Sequence, residues 1–115
     1  MIREGQIVLF RFPYTDQEGG KLRPALVIRK VAGPYDDWLI CMISSQLSQQ
    51  MVGFDEILAE ENDDFIRSGL RQASVIRIGR LAVVQKNILL GAIGEISPER
   101  LEQVKKKLSD WLLGR

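Results

Sequence analysis

Histidine is absent from the 115 residues, and cysteine occurs once, at Cys41. Zinc centres of the usual His/Cys composition are therefore excluded. So are Ser-His-Asp and Cys-His mechanisms, and nuclease schemes built on a histidine pair. An internal disulfide is impossible, and the setting of Cys41 in Trp38-Leu-Ile-Cys-Met-Ile43 reads as an inert strand residue. No glycine-rich phosphate loop occurs, because Gly19-Gly20 and the spaced Gly91 and Gly94 fit neither nucleotide fingerprint. The N-terminus lacks a basic stretch followed by an apolar one, and no apolar run approaches a membrane span. These absences predict a protein with no membrane partner, compatible with the cytoplasm. If the protein is an enzyme, its chemistry must run on Arg, Lys, Ser, Asp, Glu or Tyr, and no cofactor or metal site is expected.

What is present has the composition of a globular domain: 45% hydrophobic and 27% charged residues. We read residues 1–115 as a single domain, large enough to bury a core. The formal net charge is only +1, but the charges are unevenly placed. Residues 21–30 hold Lys21, Arg23, Arg29 and Lys30 without an acid. Residues 65–94 hold Arg67, Arg71, Arg77, Arg80 and Lys86, again without an acid. The carboxylates crowd into residues 55–64 and the C-terminal segment. Two readings stay open: ordinary solvated strand faces, or two segments lining one groove for an anionic ligand.

Short runs rich in Val and Ile, broken by glycine and polar residues, predict strands near 6–12, 23–30, 37–45, 51–58, 74–84 and 91–95. Residues 13–22 form a long hairpin loop, of the kind that often carries function. Asn62 to Gly69 predicts a short helix, with Asn62 as cap and Gly69 as stop. The one strong helix is last, capped by Ser97 with Pro98 in its first turn. Its stripe of Leu101, Val104, Leu108, Trp111 and Leu112 needs a barrel end or a dimer partner to cover it. The predicted fold is mainly β: a small antiparallel barrel with a short internal helix and a C-terminal amphipathic helix. In the strand 74–84, Ile76 and Ile78 share one face and Val75, Arg77 and Gly79 the other, so core isoleucines would leave Arg77 outward. Alternation does not say whether Ser44 or Ser45 is exposed at the end of the third strand.

The most informative stretch is Glu18-Gly-Gly-Lys-Leu-Arg23-Pro24, a polar loop that feeds an arginine into the buried run Ala25-Leu-Val-Ile28. Arginine is always charged, and its rigid fork of donors suits phosphate oxygens. The ordered set Gly5-Gln-Ile-Val-Leu-Phe-Arg-Phe-Pro-Tyr-Thr-Asp16, Lys21-Leu-Arg-Pro-Ala-Leu-Val-Ile28, Ile43-Ser-Ser-Gln46 and Gly69-Leu-Arg-Gln-Ala-Ser-Val-Ile-Arg77 resembles the MazF/PemK toxins. The resemblance extends through Ile93-Gly-Glu-Ile-Ser97 and the terminal helix.

The resemblance implies an SH3-like barrel, shared with the CcdB-like toxins, and a cytoplasmic homodimer. It implies metal-independent, sequence-selective cleavage of single-stranded RNA or mRNA, and a cognate antitoxin that blocks the site. DNA would be met only through that antitoxin. The catalytic arginine of the family precedes proline, which is Arg23, and its catalytic Thr/Ser follows the isoleucine of the third strand, which is Ser44. Gln46 and Arg77 match positions near RNA in some members; Lys21 and Arg71, from the two basic segments, join them as RNA-binding candidates. The base that takes the 2′-hydroxyl proton is unassigned, with Glu18, five residues before Arg23, as the loop candidate. Many members carry an acid two residues after the position of Arg77, where this chain has Gly79. That departure keeps a catalytically weak RNA- or antitoxin-binding relative in view. A CcdB-like gyrase toxin is the other alternative, although such proteins act through a Trp-Gly-Ile-type end and this chain ends Asp110-Trp-Leu-Leu-Gly-Arg115.

Overall fold

The computed structural model describes residues 1–12 and 21–115. Six strands run β1 Gln6–Phe12, β2 Lys21–Lys30, β3 Asp37–Ser44, β4 Glu56–Leu58, β5 Ser74–Gln85 and β6 Leu89–Glu95. A short helix, α1, spans Phe65–Ser68, and the long helix, α2, spans Pro98–Leu112. The strands form one antiparallel sheet in the order β4-β5-β3-β2-β1-β6. Its two edges, β4 and β6, do not pair with each other, so the barrel is open.

Alternation along the central strands explains how one sheet serves two cores. Ile7, Leu26, Ile28, Cys41 and Ile43 point to one side, where Ile76, Ile78, Ile96, Val104 and Leu108 join them. Val8, Ala25, Val27, Trp38 and Ile40 point to the other side with Phe10 and Leu89. Side chains two apart share a face, so each strand feeds both clusters. Helix α2 covers the first cluster through Leu101, Val104 and Leu108. Burying one such side chain fully is worth about 1.5–3 kcal/mol.

The ends of the helices follow local chemistry. Ser97 caps α2 by accepting a 3.1 Å bond from the amide of Arg100, with Pro98 in the first turn as expected. Gly69 ends α1 at φ 74°, a left-handed conformation in which glycine bears no Cβ penalty. Asn62 is not the cap of α1. Asp64 occupies that position, and Asn62 instead accepts from the amide of Ala59 at 2.7 Å, closing the preceding turn.

Two further expectations are corrected. The strand expected over 51–58 is reduced to Glu56–Leu58. Met51 turns the chain, its carbonyl accepting from the amides of Phe54 and Asp55, and Gly53 adopts φ 86° within that turn. The apolar stripe of α2 is also not buried to its end: Trp111 and Leu112 stay 57% and 66% exposed. Trp111 leans on Phe54, with ring centroids 6.1 Å apart.

Candidate functional site

Arg23 stands on β2 opposite Phe10 of β1, and Pro24 opposite Leu9. On the other side of β2, pairing with β3 begins only at Ala25, opposite Met42. Proline has no N–H to extend a ladder. The strands therefore part at Pro24, and Arg23 faces the end of β3 across a gap.

Two clefts open there. The first, of about 280 Å³, is lined by Arg23, Pro24, Met42, Ser44, Gln46, Gln49, Arg77 and Arg80, over Ile43. The second, of about 200 Å³, is lined by Arg23, Pro24, Ser44, Ser45, Arg71, Gln72 and Ser74 with apolar neighbours. Arg23, Pro24, Ile43 and Ser44 line both, so this strip is the ridge between them, with Arg23 and Ser44 its polar members. Neither lining contains an acid among the described residues. Every described ion pair lies elsewhere, on Arg3, Arg100, Lys105, Lys106 and Lys107.

Ser44 ends β3 opposite Val75. Its hydroxyl oxygen accepts a 3.1 Å bond from the amide of Gln46, which leaves the hydroxyl proton to donate. Beyond it a 3-10 turn at Leu47–Gln49 brings Gln49 alongside, its side-chain amide donating to Gln46 Oε1 at 3.2 Å.

The basic wall of the first cleft depends on a break in β5. Met42 pairs with Arg77, whereas its neighbour Cys41 pairs with Leu81, so Ile78, Gly79 and Arg80 have no partner on β3. On a regular strand, residues three apart lie on opposite faces. The bulge re-aims the chain, and Arg77 and Arg80 both reach the same cleft. Arg77 is half-buried, and its Nε is buried without a hydrogen-bond partner among the described residues.

Of the residues singled out in the sequence, Arg23, Ser44, Gln46 and Arg77 meet in the first cleft, and Arg71 lines the second. Lys21 lies outside both linings, exposed on the face of β2 that carries Arg23. Glu18, with the rest of residues 13–20 of the expected loop, lies outside the described residues. Arg80 was named only as one of the charges of the basic segment 65–94, because strand periodicity puts it on the face opposite Arg77, and Gln49 was not singled out; a 3-10 turn at Leu47–Gln49 positions it. Gly79 is exposed, and a Cβ there would stand 3.3 Å from the edge of the Phe54 ring, which would have to give by a few tenths of an ångström.

A family model for PemK-like, MazF-like toxins of type II toxin–antitoxin systems matches residues 3–112. The chain belongs to this family. Comparison with curated proteins gives no match. Among solved structures, a mycobacterial endoribonuclease in complex with its cognate antitoxin is 15% identical, with 97% of this chain and 95% of that one covered at a TM-score of 0.66. The Mycobacterium tuberculosis toxin MazF-mt6 is 16% identical over 91% of this chain and 93% of that one, TM-score 0.67. The MazE–MazF structure from Deinococcus radiodurans is 22% identical over 98% of this chain and 96% of that one, TM-score 0.67. The open barrel with its terminal helix is thus the MazF fold, and the chain is a toxin of a toxin–antitoxin system. No described helix of this MazF-like toxin is long and apolar enough to cross a membrane.

Proposed function

We propose that this toxin is a metal-independent, sequence-selective endoribonuclease that cleaves single-stranded RNA. The observation that carries the proposal is the Arg23–Ser44 ridge between two clefts that also hold Arg71, Arg77 and Arg80 and no described acid. A chain of phosphates fits such a surface, with the scissile phosphate on the ridge and its neighbours over the arginines on either side. Gln46 and Gln49 offer amide groups to a base in the first cleft.

RNA brings its own nucleophile, so cleavage needs chiefly positioning and charge stabilisation. The 2′-hydroxyl oxygen attacks the adjacent phosphorus and gives up its proton as the P–O5′ bond breaks. The departing oxygen gains a proton, leaving a 2′,3′-cyclic phosphate and a 5′-hydroxyl. Arg23, charged at any working pH, grips the non-bridging oxygens where negative charge builds. Ser44 donates its free hydroxyl proton to the same phosphate or orients the 2′-hydroxyl.

The partner is a cognate antitoxin, a reading supported by the antitoxin complexes of two structural relatives. The working unit is a homodimer, since Leu90 and Ile93 of the edge strand β6 and Trp111, Leu112 and Leu113 at the end of α2 remain exposed on one chain.

Incubation of the purified protein with end-labelled RNA tests the proposal. The wild type should cut at discrete sites, and Arg23→Ala should lose about 10²–10³ in rate, the usual cost of one preorganised donor. A folded Arg23→Ala protein cutting at the wild-type rate would remove the proposal.

A further inference from the structure

Asp55 is only 4% exposed, and among the described residues no cation pairs with it. A buried carboxylate is costly unless its oxygens are occupied. Both are: Oδ2 accepts from the amide of Met51 at 2.9 Å and Oδ1 from the amide of Ile78 at 3.0 Å. Ile78 is the first residue of the β5 bulge and has no partner on β3, and it lies beyond the last β4 pair, Glu56 with Ile76. A buried amide left alone would destabilise the bulge. Asp55 supplies the missing acceptor, while the Ile78 side chain is sunk in the core. The other end of the clamp, Met51, opens the turn that follows Gln49.

We propose that Asp55 is a positioning residue for the cleft. Its carboxylate ties the bulge that carries Arg80 and directly follows Arg77 to the turn that follows Gln46 and Gln49, and so holds the two walls of the first cleft in register. It does not line the cleft and acts only through these walls. The inference rests on the ribonuclease reading of the cleft. A carboxylate is needed because two amides converge on it; an asparagine would turn an NH₂ toward one of them.

The test compares wild type, Asp55→Asn, Arg80→Gln and the double variant. Each is assayed for binding to a 2′-O-methyl RNA oligonucleotide across a salt series, and for single-turnover cleavage of unmodified RNA. Arg80→Gln should lower the log–log salt slope of binding by roughly 0.7, the single-strand value for one phosphate contact. Asp55→Asn should lower it by a similar amount, and the double variant should fall no further than Arg80→Gln, because coupled residues are not additive. Cleavage by Asp55→Asn should slow on the order of 10²-fold, as misplacement at a distance from the chemistry does. Amide exchange should show Ile78 protected in the wild type and released in Asp55→Asn.

A merely structural Asp55 would lower thermal stability while leaving the salt slope intact, and that result overturns the clamp. Should Asp55→Asn not fold, Asp55→Glu keeps the charge on a longer arm and should show the same losses; wild-type binding and rate in that variant would likewise overturn it. If the wild type itself neither binds nor cleaves the RNA, the ribonuclease reading of the cleft fails. If the wild type does both and Asp55→Asn keeps the wild-type salt slope and rate, the cleft stands and the clamp alone is wrong.

Discussion

Arg100 commits its whole guanidinium to the protein, donating to Asp64 at 2.8 and 3.2 Å, to Glu56 and the carbonyl of Ile57 at 3.1 Å, and to Asn62 at 3.2 Å. Arg23 carries the same group, exposed at the mouth of a strand with Ser44 across the gap. Partners, not residue type, separate the structural arginine from the candidate catalytic one. The two serines divide in the same way. Ser44 is half-buried on the ridge, while Ser45 is exposed beyond the strand end and lines only the second cleft. Initial rates on RNA should therefore fall about 10²–10³-fold in Ser44→Ala, as for any lost preorganised donor. Ser44→Thr should keep much of the rate and Ser45→Ala nearly all of it; the reverse ranking would move the active hydroxyl by one residue. Alternation alone could not choose between these serines, because both faces of β3 are buried until the strand ends. The folded chain sets them apart by position: Ser44 lines both clefts and Ser45 the second alone. Cys41, by contrast, is as inert as its apolar setting predicts: burial, then the nearby Asp55 charge, pushes its thiol up to about 12.

At the scale of elements, the start of α2 is fastened to the 56–64 segment through Asp64. Its carboxylate accepts from Arg100 and from the amide of Ser97 at 3.1 Å. Burial by itself would raise the carboxyl, but the hydrogen bonds from Arg100 and Ser97 outweigh it and hold Asp64 below the usual carboxylate range. A carboxyl lowered on folding stabilises the native state above its unfolded value, about 3.9, and ceases to do so as pH falls through the lower folded value. Urea midpoints of wild type and Asp64→Asn should differ most at neutral pH and converge as the pH drops below about 4. A gap independent of pH would contradict this account. Arg100→Met should cost about 3 kcal/mol, toward the lower end for breaking a buried pair because the arginine retains some exposure. The caps at Ser97 and Gly69 were legible in the sequence, since each depends on neighbours a few residues away. The bulge was not. It needs an acceptor from Asp55, 23 residues before Ile78, and period-two reasoning places Arg77 and Arg80 on opposite faces.

For the molecule as a whole, the strands along the chain and the terminal helix were readable because Val/Ile runs are broken by polar residues and the helix stripe is long, whereas the sheet order β4-β5-β3-β2-β1-β6 has no signal in that pattern. The extent of β4 was not, because the turn at Met51 closes through backbone bonds that side-chain pattern does not encode. Nor does any pattern say that α2 leaves Trp111, Leu112 and Leu113 exposed. With the edge strand β6 also presenting Leu90 and Ile93, light scattering at tens of micromolar should give twice the 13.1 kDa chain mass. A monomer at that concentration would leave these surfaces to the antitoxin alone. The central claim, that the ridge works on RNA's own nucleophile, is tested most directly by one substrate pair. An RNA carrying a cut site is compared with the same RNA bearing a single 2′-deoxy residue immediately 5′ to the cut, in EDTA, with product ends analysed by mass. The account predicts a 2′,3′-cyclic phosphate and a 5′-hydroxyl from the first and no cleavage at that site in the second. Cleavage at the 2′-deoxy position, or cleavage only when Mg²⁺ is supplied, would contradict it.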